Sequence, residues 1–521
     1  MSQIEIAKNV SFPKKYWTPE WREIFTPDLL GLLTRLHREF EPERKILLNQ
    51  RAERQKEYDS GKLPDFENKN SEAVTGNWKV AAIPPELSCR RVEITGPVNS
   101  TKMVINMLNR TADGSRADMA MLDFEDSLKP SFKNVLDGYK NVIGAVAGNL
   151  SIDDYRLNPN DMAYVMVRAR GLHLDESNIL IHDEPISAGM LDMAVCFLHT
   201  ARMYLEKNQT PKFYIPKCEH YLEARWWNKL FSVLENELNL PHSTLRATFL
   251  IETLPATFQA EEILFELKDH AVGLNVGRWD KIFSDIKVLR HHKDRIMGDR
   301  SSINMTRPWM ENYAKRVIKI CHDRGAFAMG GMSAFTPGKT DIQREEQSKK
   351  VMEDKQREAS WGHDGCWVSH PYFIATAMSA FTSQNQLTKK LDNFDKYSDI
   401  LPQGSGPYTL DGLRTNIRVG IAYMNGWNQD VGCVSFDNLM EDLATLEISR
   451  AQVWQWLHHH IQLDDGTKVT KELVNKIFDE EFKKIQQEIP SDGLKEARIE
   501  AQELFMMNQL PEFLVTSSTN V

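Results

Sequence analysis

In the stretch LIETLPATFQAEEILFELKDHAVGLNVGRWD (residues 250–280), two short apolar runs each give way to an acid. Residues 249–251 lead into Glu252, and residues 272–275 are followed by Asp280, with a helix-length segment between. Carboxylate oxygens without neighbouring His or Cys favour a hard cation, and Mg2+ would keep water or substrate oxygens in its other positions. The plainer alternative is that each acid pairs with an arginine or caps the next helix. VRARGLH (167–173) supplies arginines. On a strand, Arg168 and Arg170 would point the same way, because side chains alternate with period two. A guanidinium among acids can polarise a carbonyl or steady an enolate oxygen; it can equally close a salt bridge.

A third acidic group lies far along the chain, in FDNLMEDLATLEISR (436–450). Asn438 reads as a helix cap with Glu441 as its capping-box partner. First-turn acids are favoured by the helix dipole in any case. Asp442 falls at the edge of the apolar stripe, where partial desolvation would raise its pKa and make it a better base. Weaker candidates surround these. Lys217 could form a Schiff base, but a rim salt bridge is the better reading. In HHH (458–460), neighbouring rings on a helix face different ways, which favours solvated surface. MGGM (329–332) suggests close backbone approach at a strand end rather than a nucleotide fingerprint. Trp367 reads as core and His270 as the end of a helix.

Elements must bring these residues together. Between about 90 and 385, eight β-type runs alternate with helix-length segments: 90–96, 119–126, 164–171, 213–217, 248–252, 272–277, 326–331 and 366–370. Most end on polar or glycine residues, among them Asp123, Glu125, Arg168, Lys217, Glu252, Gly277 and His370. That pattern predicts an α/β fold, a (β/α)8 TIM barrel with its chemistry at the C-terminal strand ends. An N-terminal helical clasp is expected over 1–85, as two helices separated at Pro42. The barrel then occupies 86–385, a linker containing QGSGP spans 386–407, and an all-helical domain fills 408–521.

Composition excludes several classes. The chain has 521 residues and a formal net charge of -9, which argues against nucleic acid as the main partner. Mean hydropathy is negative, and no apolar run reaches the ~18–20 residues of a membrane span. Six scattered cysteines form no CxxC pair, so neither a disulfide framework nor a zinc site is expected from them. The start lacks a signal-peptide pattern and the last residues are TNV, not a peroxisomal tripeptide; cytoplasmic location is the expectation.

KDHAVGLNVGRWDKIF (268–283) resembles the malate synthase signature, and MLDFEDS, VRARGLHL, FLIETLPA, RGAFAMGGMSAF, HDGCWVSHP and LMEDLATLEISR occur in that family's order. The resemblance runs from about residue 30 to 510 and is to the A-type. It departs from the signature at Lys281, where tyrosine usually follows Trp-Asp. The resemblance implies condensation of acetyl-CoA with glyoxylate and thioester hydrolysis to malate and CoA, the glyoxylate-cycle reaction, with Mg2+ as cofactor. It further implies Glu252 and Asp280 as metal ligands, Arg168 as the enolate-stabilising cation and Asp442 as the base. Gly277, Arg278, Trp279 and Trp367 match substrate-binding positions, with backbone N–H groups of Arg278, Trp279 and Asp280 on the glyoxylate carboxylate. Glu125 would support Arg168 from behind, and the C-terminal domain would cover the barrel mouth like a plug. No nucleic-acid or membrane partner is implied. The enzymatic alternative is a Mg2+-dependent malyl-CoA or citryl-CoA lyase; an alternative of another class is a catalytically silent binding protein.

Overall fold

The computed structural model describes residues 2–516. Eight parallel strands close into a barrel: β1 (Val92–Pro97), β2 (Met119–Asp123), β3 (Tyr164–Arg168), β4 (Lys212–Ile215), β5 (Arg246–Leu250), β6 (Ala271–Asn275), β7 (Phe327–Ser333) and β8 (Gly365–Val368). Each overlaps one of the eight predicted runs. Pairing of Arg168 with Tyr214, and of Trp367 with Glu93, completes the ring. Alternation sorts the side chains. Met119, Met121, Met166, Tyr214, Leu250, Val272 and Trp367 belong to one buried cluster filling the barrel. Ala120, Leu122, Val165 and Val167, out of phase with these, belong to the larger surrounding core. One polar group of residues is linked inside: Arg90 donates to Glu93 at 2.7 Å and to the Tyr214 hydroxyl at 2.8 Å, and the Trp367 indole N–H donates to Glu93 at 2.9 Å.

The N-terminal segment corrects one expectation. A single helix, α1 (Pro27–Asp59), runs straight through Pro42. Thr26 caps it, its side chain accepting from the Leu29 N–H at 3.3 Å. An internal proline costs about 3 kcal/mol, but both halves of α1 are anchored on the barrel. Leu36 and Phe40 are buried before Pro42, and Arg44, Leu47 and Arg51 after it. Arg51 grips Glu223 through two hydrogen bonds of 2.7 Å. Tertiary packing here outweighs a local breaker. Ahead of α1 a short helix, Pro19–Ile24, is itself preceded by strands rather than helix: Gln3–Ala7 and Val10–Pro13 pair as a hairpin and join Asp175–Ile181 and Glu184–Ser187 in a four-stranded sheet.

Two further helices carry or flank functional candidates, α2 (Tyr221–Glu237) and α3 (Trp279–Val288). Beyond the linker, α4 (Leu410–Trp427), α5 (Leu443–His458), α6 (Lys471–Glu488) and α7 (Leu494–Phe505) form a second core around Ile417, Ile421, Leu446, Trp456, Phe478 and Phe505. A hairpin, Val434–Phe436 with Leu439–Glu441, precedes α5. The sequence reading expected only helix here, starting at Asn438. Instead Asp437 and Asn438 take positive φ values of 48° and 63°, the backbone a two-residue hairpin turn requires and Asp-Asn tolerates. The true cap is Asp442, whose side chain accepts from the Thr445 N–H at 3.2 Å while its own N–H donates to the Thr445 hydroxyl at 3.0 Å. No helix among the described residues is long and apolar enough to cross a membrane.

Candidate active site

The hairpin fastens the C-terminal helices to the barrel mouth. Met440 N–H donates to the Ala334 carbonyl at 2.7 Å, and Leu443 N–H donates to the Asp126 carbonyl at 3.1 Å. Glu441 is not a capping-box partner; it is buried against Arg300, with hydrogen bonds of 2.6 and 3.2 Å. These contacts set Asp442 at the rim. A cavity of about 30 Å3 there is lined by Arg168, Glu252, Gly277, Arg278, Trp279, Asp280, Trp367 and Asp442, together with Thr95, Asp123, Asp126, Asn275 and Met440. Every site residue that the family resemblance implies lines it except Glu125. That carboxylate sits just behind, ion-paired with Lys217 and 3.5 Å from the Arg168 guanidinium.

Arg168 ends β3 and is held by Asp123, the last residue of β2, through two hydrogen bonds of 2.6 Å. Asp126 adds a third at 3.2 Å, and the guanidinium lies 5.6 Å from the Trp367 ring centroid. Arg170 parts from Arg168, because the strand ends at Arg168. Its guanidinium turns to Asp192 at 2.8 and 2.9 Å and to Glu176 at 2.8 Å, in a buried structural cluster.

Glu252 follows β5, and the Lys217 N–H donates to it at 2.9 Å. Gly277 is required beside it: a Cβ there would come within 2.5 Å of the Glu252 Cβ and 2.7 Å of Oε2. Asp280 sits in the first turn of α3, whose N–H groups have no intrahelical partners and favour an anion. Lys217 is a salt-bridge lysine, 2.7 Å from Asp126 and 3.2 Å from Asp280. Burial opposes its charge, but Asp126, Asp280, Glu125 and Glu252 outweigh burial and hold the ammonium well above its usual range. A Schiff base would need the opposite.

Six buried carboxylates (Asp123, Glu125, Asp126, Glu252, Asp280, Asp442) thus face two cationic side chains, Arg168 and Lys217. Burial, then the charge of Asp126, pushes Asp280 well above the carboxylate range, and burial raises Glu252. Asp280 Oδ1 accepts no hydrogen bond, although the Lys217 ammonium lies 3.2 Å from it. Oxygen-only donors and surplus negative charge together fit a hard divalent cation. Asp442 is pushed up to about 8, by burial first and Asp126 second, against the Thr445 N–H and Arg168.

Sequence reasoning named Asp123 as a polar strand end without giving it a role, and missed Asp126. The signal was present: Asp123 continues the inward phase of Met119 and Met121 on β2, so its carboxylate points where theirs do. His270 also differs from expectation, lying beyond its helix and directly before β6. A larger cleft of about 670 Å3 adjoins the cavity, sharing Thr95 and Met440 with it and lined by Pro97, Met103, Met107, Arg110 and Tyr372 among others.

Three family descriptions match along the chain: "Malate synthase, N-terminal domain" over residues 8–71, "Malate synthase, TIM barrel domain" over 164–400 and "Malate synthase, C-terminal" over 407–520. Malate synthase A of Escherichia coli (strain K12) is 41% identical over 510 residues, covering 96% of this chain and 94% of that protein. Malate synthase of Myxococcus xanthus is 43% identical over 517 residues, with 97% and 93% covered. Among solved structures, the chain is similar to the Haloferax volcanii malate synthase magnesium/glyoxylate complex at 13% identity and a TM-score of 0.44, covering 79% of this chain and 98% of that one.

Proposed function

Because the chain belongs to the malate synthase family, acyltransferases that condense acetyl-CoA with glyoxylate, we propose a division of labour among the residues of the rim cavity. Glu252 and Asp280 would hold Mg2+, and its Lewis acidity would make the glyoxylate aldehyde carbon more electrophilic. The N–H groups of Arg278, Trp279 and Asp280, at the start of α3, bind the glyoxylate carboxylate. Asp442 takes a proton from the acetyl methyl group. Arg168, fixed by Asp123, receives the negative charge that develops on the thioester oxygen, and without that the weakly acidic methyl would not ionise. The enolate carbon attacks the aldehyde carbon, and water then cleaves the malyl thioester to malate and CoA.

Acetyl-CoA reaches the cavity through the adjoining cleft, whose methionines and prolines, mixed with polar residues such as Asn106 and Ser369, suit the methylenes and amides of a pantetheine arm. Trp367 packs beside the substrate and supports Arg168 through its ring face; Glu125, with Lys217, steadies the arginine from behind. The functional units are the clasp 1–85, the barrel 86–385, the linker 386–407 and the plug 408–521, and the enzyme acts in the cytoplasm.

One observation carries this reading: Asp442, borne on the C-terminal helices, lines the same cavity as Arg168, Glu252 and Asp280 from the barrel. The experiment is thiol release from acetyl-CoA with glyoxylate and Mg2+. Release of CoA dependent on both additions is expected, and its absence from folded protein rejects the assignment.

A further inference from the structure

At the other end of the barrel, where strands begin, three groups from separate segments converge: Glu235 in the last turn of α2, His242 in the loop 238–245, and His270 immediately before β6. Glu235 and His270 are buried, whereas the His242 side chain is 57% exposed. Glu235 Oε2 lies 3.2 Å from His270 Nε2 and 3.4 Å from His242 Nδ1. Ligand atoms about 2.0–2.1 Å from one tetrahedral ion stand about 3.3 Å apart, which matches the two carboxylate–imidazole spacings, and all three ligand atoms lie within 4.8 Å of one another. The carboxylate is itself fixed, accepting from the Leu245 N–H at 2.8 Å and the Ser243 N–H at 3.2 Å.

The far nitrogen of each imidazole has its own oxygen. His270 Nδ1 is 2.7 Å from Asn228 Oδ1, and His242 Nε2 is 3.8 Å from Asp269 Oδ2. With its proton on Nδ1 for Asn228, His270 turns its Nε2 lone pair toward Glu235, the tautomer that a metal ligand needs. An imidazole backed by an oxygen on one nitrogen and aimed at a shared point with the other is the arrangement that orients metal-ligating histidines. Asn228, Phe231 and Glu235 share one face of α2. The Phe231 ring packs at 5.6 Å on His270 and locks its plane.

We propose that Glu235, His242 and His270 form a transition-metal site, of the borderline kind that Zn2+ fills, which clasps the end of α2 to the loop 238–245 and the start of β6. Two imidazoles and one carboxylate select such an ion over Mg2+, so the site is chemically separate from the oxygen-only pair Glu252 and Asp280. Three protein ligands leave a fourth position to water.

The test uses the full-length enzyme, stripped with a chelator, returned to saturating Mg2+ and titrated with Zn2+ by calorimetry. Thermal unfolding is followed in parallel, and Co2+ absorption reports geometry. One tight Zn2+ equivalent per chain, a raised Tm and a tetrahedral Co2+ spectrum are expected. Because removing an outer partner of a ligating His costs about 10–100-fold in affinity, His242→Ala should lose at least about 100-fold, and with it the Zn2+-dependent rise in Tm. Asp269→Asn should lose roughly tenfold. Both alter exposed side chains, so folding and CoA release persist. Glu252→Gln should keep this equivalent. Indistinguishable Zn2+ titrations of wild type and His242→Ala, or no uptake by either, overturn the proposal.

Discussion

Asp123 and Arg168, the last residues of two neighbouring strands, are joined by a pair of parallel hydrogen bonds of 2.6 Å each. Asp123 is locked in turn by the N–H groups of Glu125 and Ser127 at 2.8 and 3.0 Å and by the Ser127 hydroxyl at 2.6 Å. A two-pronged contact fixes direction as well as charge. The guanidinium is therefore aimed by the barrel itself, before any substrate arrives.

Asp123→Asn keeps the shape of the contact but leaves one oxygen to accept. Misplacing a reacting partner by about 1 Å can cost about 100-fold, so kcat should fall by that order while the KM for glyoxylate changes little. Steady-state kinetics decide; an unchanged kcat would show that Arg168 needs no aiming.

For Asp442→Asn, loss of the base should reduce kcat by about 100- to 10,000-fold. Exchange of the acetyl methyl protons with deuterated solvent should stop, while calorimetry shows glyoxylate binding with Mg2+ essentially intact. An equal loss of glyoxylate affinity would contradict the assignment of Asp442 to proton removal alone.

The pH profile follows from the same carboxyl, pushed up to about 8 by burial and Asp126. A base works deprotonated, so kcat/KM should rise with pH by about tenfold per unit and level off above that value. Mg2+ adds nearby positive charge, which favours the carboxylate. Raising Mg2+ should therefore move the limb to lower pH. A profile independent of Mg2+ would place the titrating group elsewhere.

Gly277→Ala tests the cradle under the metal ligand. The new methyl would collide with Glu252 at both Cβ and Oε2, displacing the carboxylate. The Mg2+ concentration for half-activation should rise at least about tenfold, and Glu252→Ala should abolish activation by Mg2+ altogether. Normal activation of either variant would remove Glu252 from the coordination sphere.

Lys281, where the signature has tyrosine, forms a fully buried ion pair with Asp285. Burial lowers the lysine and raises Asp285 to about 6, against the pull of the partner charge. Breaking such a pair from one side costs about 3–5 kcal/mol. Lys281→Met should lower the Tm by several degrees, and adding Asp285→Leu should restore most of the loss. No recovery in the double variant would mean the pair is not the stabilising unit.

The barrel was legible because its strands announce themselves twice, by apolar runs and by the polar residues that end them, as at Glu252 and Lys217. Period two placed Arg168 correctly but misled at Arg170, since periodicity does not say where a strand stops. Asp123 was named as a strand end but given no role among the three acids in DFED, although its inward phase was readable. The convergence of Asp442 with Arg168 came from family resemblance; no spacing rule links residues so far apart. The hairpin before α5 escaped notice because its strands are three residues each, too short for alternation to register. Pro42 misled for the opposite reason: a strong local signal was overruled by contacts distant in sequence.

The backbone link from Leu443 to the Asp126 carbonyl makes attachment of the tail unit and arming of the base a single event. An enzyme assembled this way should lose competence before it loses shape. As heat or denaturant loosens the tail, turnover should vanish while the circular-dichroism signal of the barrel still reads native.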